Sequence, residues 1–247
     1  MSASLLPPRS AEVADIMDAT MRVFRATLPK CLPLAMASIL LAQLASLYAL
    51  VTGKSPDLLQ PHDATFWTLF VIGFMAWQLL AAIIMLRQRS IATGRLPELQ
   101  DELRAALQRW PLLVLTAVLS GAVMALGFLL LIVPGIYAFV CFLLLRPVVL
   151  FEQPEPLRAL ERCLRLVRPR WLKFCAAAVM GTLIVAVCTL AAVAALSLLA
   201  ALLAGSGVKA AAVNAVGAAV LLGVLSVAAV YFSALWLALY SAASSSA

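Results

Sequence analysis

The sequence predicts an all-α integral membrane protein with about six transmembrane helices, arranged as three repeats of an interfacial amphipathic helix plus a transmembrane hairpin. Three observations predict this fold class: the composition, six long apolar runs, and the confinement of basic residues to one side of them. Of the 247 residues, 65% are hydrophobic and 12% are charged, against about 45–50% and about 25% in soluble domains. A soluble fold leaves roughly a quarter to a third of its unfolded surface exposed, so it could not cover this much apolar surface. The composition therefore excludes soluble enzymes, disordered chains and collagen-like fibres.

Six apolar runs are long enough to cross a bilayer, which takes about 20 residues within a range of about 17–25. They are residues 32–51, 64–86, 111–133, 136–151, 172–203 and 214–240. Pro134 and Gly135 favour a tight turn, which we predict to separate the third run from the fourth. The fifth run is long enough to tilt or to protrude from the membrane.

The basic residues define the orientation of these spans. With the N-terminus in the cytoplasm, all of the 18 lysines and arginines except Lys54 and Lys209 fall on the inner side. Acidic residues balance those two outside, so the whole net charge of +7 lies on the inner face, as the positive-inside rule expects. This distribution explains the basic excess without a nucleic-acid partner. We predict a multi-pass protein of the bacterial inner membrane with both termini in the cytoplasm.

Aromatic residues fall at the ends of several spans, where they are typical of membrane interfaces. Trp110 and Trp171 precede the third and fifth spans, and we predict that they are interfacial anchors on the cytoplasmic side. Tyr137 falls at the predicted outer end of the fourth span.

Three inner segments carry apolar residues at helical spacing and are predicted to be amphipathic helices. They are residues 11–28, 97–110 and 156–167. The apolar stripe includes Leu99, Leu103 and Leu107 in the second segment, and Leu157, Leu160 and Leu164 in the third. Such helices lie in the interface plane, with the apolar face against lipid or against the bundle.

Each amphipathic segment leads into a pair of spans, which predicts an internal repeat. We predict one membrane domain over residues 1–247, made of units at 10–86, 96–151 and 156–240 and a flexible tail at 241–247.

Four charged residues around the end of the fourth span are the candidate site. Arg146 lies near the inner boundary, where it could snorkel towards headgroups or pair with Glu152. Glu152 could instead pair with Arg158 or Arg162 on the third amphipathic helix. A guanidinium suits carboxylate and phosphate equally, so the residue types leave two interpretations open: a structural clasp and a lipid-headgroup site.

Three stretches of sequence carry a family resemblance: residues 133–137 (Val-Pro-Gly-Ile-Tyr), residues 146–152 (Arg-Pro-Val-Val-Leu-Phe-Glu) and residues 159–167 (Ala-Leu-Glu-Arg-Cys-Leu-Arg-Leu-Val). Together they resemble the membrane domain fused to some bacterial glycerophosphoryl diester phosphodiesterases, and the stand-alone YciC-like inner-membrane proteins of unknown function. Cys163 stands where those proteins usually have serine. The resemblance implies the membrane architecture, because the phosphodiesterase chemistry of the fused relatives belongs to a separate soluble domain.

Chemistry-bearing motifs are scarce in this chain. His62 is the single histidine and stands beside Asp63, and the sequence has no H-E-x-x-H, D-x-D or nucleotide-binding glycine loop. The spans also contain no acid at mid-depth, which disfavours an ion-coupled carrier. We therefore expect no catalytic residue, no cofactor, no metal and no enzyme activity.

These expectations lead to a non-enzymatic scaffold or accessory protein that engages anionic lipid headgroups, or a membrane or cytoplasmic protein partner, through its cytoplasmic amphipathic helices. The alternative is a component of lipid or small-solute transport. A subunit of a phospholipid-related enzyme is the third hypothesis. The oligomeric state is left open.

Overall fold

The computed structural model describes residues 6–7, 12–53, 63–95, 98–130, 132–152, 155–203 and 210–244. Within this part of the chain, 93% of the residues are helical and no strand occurs. The helices are α1 (Val13–Ala42), α2 (Leu44–Val51), α3 (Ala64–Ala92), α4 (Leu99–Leu130), α5 (Ile132–Phe142), α6 (Leu145–Glu152), α7 (Pro156–Val167), α8 (Trp171–Leu203) and α9 (Ala210–Ser244). A 3₁₀ turn at Arg168–Arg170 joins α7 to α8.

The predicted all-α fold with six spans is confirmed. Six helical segments of the described chain are long and apolar enough to cross a membrane. They are Val13–Ala42, Ala64–Ala92, Leu99–Leu129, Gly135–Glu152, Pro156–Ala201 and Val216–Ser244.

The amphipathic segments join their spans in two different ways. Helix α1 continues through Pro29 and Pro33, and α4 continues through Pro111, so no break separates the first two segments from the spans they precede. Proline removes one hydrogen bond and clashes with the preceding turn, yet both helices stay continuous through these residues. In the third unit, by contrast, a 3₁₀ turn that contains Pro169 divides the amphipathic helix α7 from the spanning helix α8.

The turn predicted at Pro134 and Gly135 is wrong, because both residues lie inside helix α5. Helix α4 ends at Leu130 and α5 begins at Ile132, so the boundary between the two helices lies earlier in the chain than predicted. Pro134 is tolerated in the first turn of α5, where the backbone N–H groups have no partner within the helix. Gly135 is needed for packing, since a Cβ at this position would lie 2.5 Å from the Phe128 ring of α4.

The prediction of a flexible tail at residues 241–247 is also wrong for residues 241–244, which are helical. Helix α9 continues to Ser244, and the side chains of Ala242 and Ala243 are buried in the core. These small residues pack against the bundle and extend the helix beyond the apolar run. Residues 245–247 lie outside the described part of the chain.

The helices pack across the boundaries of the predicted units. Helix α1 makes its most extensive contacts with α9 and α3, whereas α4, α5, α6 and α7 pack with one another, and α3 contacts both groups. One large hydrophobic cluster takes residues from every long helix, including Ile16, Met85, Leu150 and Leu235. Helix α8 lies at the periphery, since its most apolar stretch contains no buried residue.

Helix α3 approaches the end of α1 closely at Gly73. A Cβ on this residue would lie 2.5 Å from the carbonyl oxygen of Leu41, so even alanine would force the two backbones apart. The contact fixes the packing of α3 just before α1 gives way to α2 at Gln43.

We therefore expect Gly73→Ala to lower the free energy of unfolding by about 1–3 kcal/mol, the usual cost of overpacking. Gly121→Ala in α4 is the matched control, because a Cβ at that position would have no neighbouring atom within 4 Å and alanine is the better helix former by about 0.5–1 kcal/mol. Thermal unfolding of both variants in detergent checks the difference. Equal stability of the two variants would contradict the close approach.

Candidate functional site

The structure separates the four charged residues of the candidate site into three environments. Glu152 and Arg162 come together, Arg158 pairs with Glu155 just before α7, and Arg146 points into the bundle. Of the alternative pairings predicted for Glu152, the structure forms the one with Arg162.

Glu152 connects three helices, α6, α7 and α9. The Arg162 Nε of α7 donates a hydrogen bond to Glu152 Oε2 at 2.9 Å, and the Tyr240 hydroxyl of α9 donates to Oε1 at 3.0 Å. Glu152 is the last residue of α6. Both carboxylate oxygens thus have a donor.

Two aromatic contacts extend this connection to a fourth helix. The ring of Phe151 lies 5.3 Å from that of Tyr240, and the Arg89 guanidinium of α3 stands 4.0 Å above the Phe151 ring. A cation over an aromatic face at this distance is stabilising. Arg89 and Tyr240 were not foreseen, because the crossing of α3 and α9 beside α6 has no signature in the sequence.

Arg158 forms no part of this connection. Its Nε lies 3.4 Å from Glu155 Oε2, one turn earlier, and both side chains are exposed. A second exposed pair, Arg165 with Glu161 at 2.9 Å, lies within α7. Exposed pairs of this type contribute little to stability.

Arg146 does not pair with Glu152, so that alternative is wrong. Its Nη2 donates to Gln78 Oε1 of α3 at 2.8 Å, and its Cζ lies 5.1 Å from the Trp77 ring and 5.2 Å from the Trp236 ring. No carboxylate of the described chain pairs with it. The crossing of α3 and α9 beside α6 offers an amide and two indole faces, which attract the guanidinium inward.

Arg146 borders a cavity of about 350 Å³ between α3, α4, α5 and α9. Its wall is mainly apolar and includes two hydroxyl side chains, Thr116 and Ser120, both bonded to backbone carbonyls of α4. Phe139 lies at its rim and is 49% exposed, so the cavity reaches the surface of the bundle. A cavity of this size is at the lower end of the range for small-molecule sites, about 300–1,000 Å³.

The two predicted tryptophan anchors pack against protein. Trp110 donates from Nε1 to the Met75 carbonyl of α3 at 3.2 Å. Trp171 stacks on Tyr137 with ring centroids 5.7 Å apart, and its buried Nε1 has no hydrogen-bond partner in the described chain. Because the stacked rings lie at one level, Tyr137 and Trp171 cannot occupy opposite membrane faces, and that part of the prediction is wrong.

A buried ion pair was missed by the sequence reasoning. Arg87 Nε of α3 lies 3.3 Å from Glu102 Oε2 of α4, and the Glu102 side chain is only 6% exposed. Arg87 also donates from Nη1 to the Lys30 carbonyl of α1 at 3.3 Å. Glu102 and Ala106, four residues later, are buried while Leu99, Leu103 and Leu107 are exposed, so the leucine stripe indicated a different face of α4 from the one that meets the bundle.

No metal site is found among the residues that the structure places: no three side chains of metal-binding type come together there. No protein-family model, curated protein or solved structure matches the chain. The resemblance to the phosphodiesterase-associated membrane domain therefore stays a prediction.

The connection at Glu152 predicts energetic coupling between α6 and α7. Glu152→Gln and Arg162→Gln should each destabilise the protein, and the double variant should be about 0.5–1 kcal/mol more stable than additivity requires, as for a partly exposed pair. A double-mutant cycle of unfolding in detergent measures this coupling. The matched cycle on exposed Glu155 and Arg158 should give a coupling close to zero. Strict additivity at Glu152 and Arg162 would reject the clasp.

The ion pair between Arg87 and Glu102 predicts a different pattern. Glu102→Gln should cost about 3 kcal/mol, because it leaves a largely buried arginine without its counter-charge, whereas Arg87→Met combined with Glu102→Met should cost less than either single change. Asp101→Asn, at the exposed neighbouring acid, should stay within about 0.5 kcal/mol of the wild type. Denaturant unfolding of these variants, and of Arg87→Met and Glu102→Met alone, distinguishes the outcomes. A double variant less stable than both Met single variants would refute the prediction.

Proposed function

We propose that this protein is a non-enzymatic scaffold or accessory protein of the bacterial inner membrane, which binds anionic lipid through its cytoplasmic amphipathic helices. The observation that carries this proposal is the outward face of α7, where exposed leucines alternate with exposed arginines.

The exposed face of α7 matches the boundary between headgroups and acyl chains. Leu157 is 72% exposed and Leu164 is 36% exposed, beside the exposed side chains of Arg158 and Arg165. Water would solvate the arginines but not the leucines, and hydrocarbon would do the reverse. The interface accommodates both, since leucine enters the acyl region while arginine stays at the phosphates.

The opposite face of α7 holds the helix against the bundle. Ala159, Leu160 and Cys163 are buried there, and Arg162 bonds Glu152 at the end of α6. The predicted apolar stripe of α7 is therefore divided between two surfaces: Leu160 faces protein, while Leu157 and Leu164 face outward. A helix fixed in this way presents its cations in one position, which lowers the entropic cost of binding headgroups.

The first turns of α4 present a similar surface. Leu99, Leu103 and Leu107 are all exposed, and Arg104 is exposed among them. Together with the basic excess that the positive-inside rule assigns to the cytoplasmic face, these residues favour an anionic surface. Each cation near an anionic leaflet contributes about 1 kcal/mol of attraction.

A component of lipid or small-solute transport is the second candidate function. The cavity beside Arg146 favours it, because an open cavity with a charged wall inside a span is typical of a substrate path. Flux measured in proteoliposomes would raise this candidate above the scaffold.

The proposed function predicts that phosphatidylglycerol raises the unfolding temperature of the purified protein more than phosphatidylcholine does, at equal lipid content. Arg158→Gln combined with Arg165→Gln should remove a large part of this difference, because two exposed cations of α7 are lost.

Lys54→Gln combined with Lys209→Gln is the matched control, since it removes the same charge from residues predicted on the outer side. This control should keep the full lipid effect. An equal loss in both double variants would show a general charge effect and would overturn the proposal.

A further inference from the structure

We propose that the cavity beside Arg146 binds the oxyanionic head of a membrane amphiphile, with an acyl chain leaving past Phe139 into the surrounding lipid. The shared chemistry is a carboxylate or phosphate attached to an apolar chain. This inference rests on the cavity inside the bundle and is independent of the lipid-facing surface of α7.

Arg146 carries a charge that no carboxylate of the described chain compensates. Arg146 lies six residues before the end of the candidate span Gly135–Glu152, and its one hydrogen-bond acceptor in the described chain is the neutral amide of Gln78. A charged side chain within a span is costly and is usually compensated by a counter-charge or serves a site. The nearest carboxylate along its own helix, Glu152, is already held by Arg162 and Tyr240, so an anion from outside is the missing partner.

The guanidinium of Arg146 has more N–H donors than the described chain has acceptors for it. A guanidinium carries five N–H groups in a planar fork, and Gln78 accepts from one nitrogen only. The fork suits the two oxygens of a carboxylate or phosphate, which it binds in a bidentate manner. Trp77 and Trp236 hold the guanidinium at the cavity wall, so the site is formed before the ligand arrives.

The shape and the lining of the cavity also favour an amphiphile. Among the described residues no other charged side chain lines it, and its wall includes Phe74, Leu113, Met124 and Phe142. Such a wall suits an alkyl chain and disfavours a small hydrated ion. At about 350 Å³, the cavity holds a head and the first part of one chain, and the half-exposed Phe139 marks where the rest of the chain passes outward.

The test uses the quenching of tryptophan fluorescence by bromine, since two indole rings lie within 5.2 Å of the guanidinium carbon. The purified full-length chain in detergent is titrated with dibromostearate, which carries a carboxylate, and separately with brominated phosphatidylglycerol, which carries a phosphate. The methyl ester of dibromostearate supplies the chain without the oxyanion. Inorganic phosphate, added as a competitor, supplies an oxyanion without the chain.

Two variants address the site and two serve as controls. Arg146→Gln removes the charge. Ala117→Phe keeps Arg146 and fills the cavity, since Ala117 lines it. Arg162→Gln removes an arginine elsewhere, and Arg158→Gln combined with Arg165→Gln disables the surface of α7.

We expect saturable quenching of the wild-type fluorescence by dibromostearate, by brominated phosphatidylglycerol or by both. The compound that binds more tightly shows whether the site prefers a carboxylate or a phosphate head. Arg146→Gln and Ala117→Phe should each weaken the apparent affinity about tenfold or more, as the loss of a charged hydrogen bond predicts for the first. Arg162→Gln should keep the wild-type affinity. The Arg158→Gln and Arg165→Gln double variant should lose only the part of phosphatidylglycerol binding that belongs to α7, and the methyl ester should quench without saturation.

Four results would overturn the proposal: no saturable quenching, saturable quenching by the methyl ester equal to that of the acid, full affinity in Arg146→Gln, or displacement of the amphiphile by inorganic phosphate. If Arg146→Gln does not fold, the affinity of Ala117→Phe decides the matter. Loss of quenching while phosphatidylglycerol still stabilises the protein through α7 would reject this site alone and leave the proposed function standing.

Discussion

The ion pair between Arg87 and Glu102 is the interaction on which the arrangement of the central helices depends. Glu102 is buried, and a buried carboxylate must stay beside its cation because separation would expose an uncompensated charge to a low dielectric. The pair therefore fixes α4 against α3, and the bond from Arg87 to the Lys30 carbonyl fixes α1 to the same helix. Two residues that precede Arg87 in α3 also accept hydrogen bonds: Met75 from Trp110 and Gln78 from Arg146. Helix α3 is thus the common partner to which α1, α4 and α6 are attached through polar contacts.

The number of membrane spans could be predicted from the sequence, because it depends on properties of neighbouring residues in the chain. Apolar runs of sufficient length indicate spans whatever their neighbours are, and the six spans were predicted for that reason. Helix ends were harder. Proline and glycine at residues 134 and 135 have the composition of a turn, yet the chain uses the first as a tolerated N-terminal residue and the second as a packing contact with Phe128. The same composition serves two roles, and only the neighbouring helix decides between them.

The candidate site was predictable to a smaller extent. Glu152 and Arg162 lie ten residues apart on consecutive helices, so a contact between them could be proposed from the sequence. The partners of Arg146 come from residues 68 and 90 positions away, on helices whose crossing depends on the packing of the whole bundle. The leucine stripes show the same limit. Periodicity identifies an apolar face, but it does not tell whether that face meets protein or lipid, and α7 divides its leucines between the two.

The position of Arg146 has an electrical consequence. A membrane voltage acts on any charge held within a span, at about 2.3 kcal/mol per 100 mV for an elementary charge that crosses the whole field. The charge of Arg146 experiences the share of this voltage that corresponds to its depth in the membrane. Gln78 and the two indole rings anchor this charge, so the field acts on α6 as a whole and not on a free side chain. With an anion bound beside Arg146 the net charge vanishes, and so does the force that the voltage exerts on the helix.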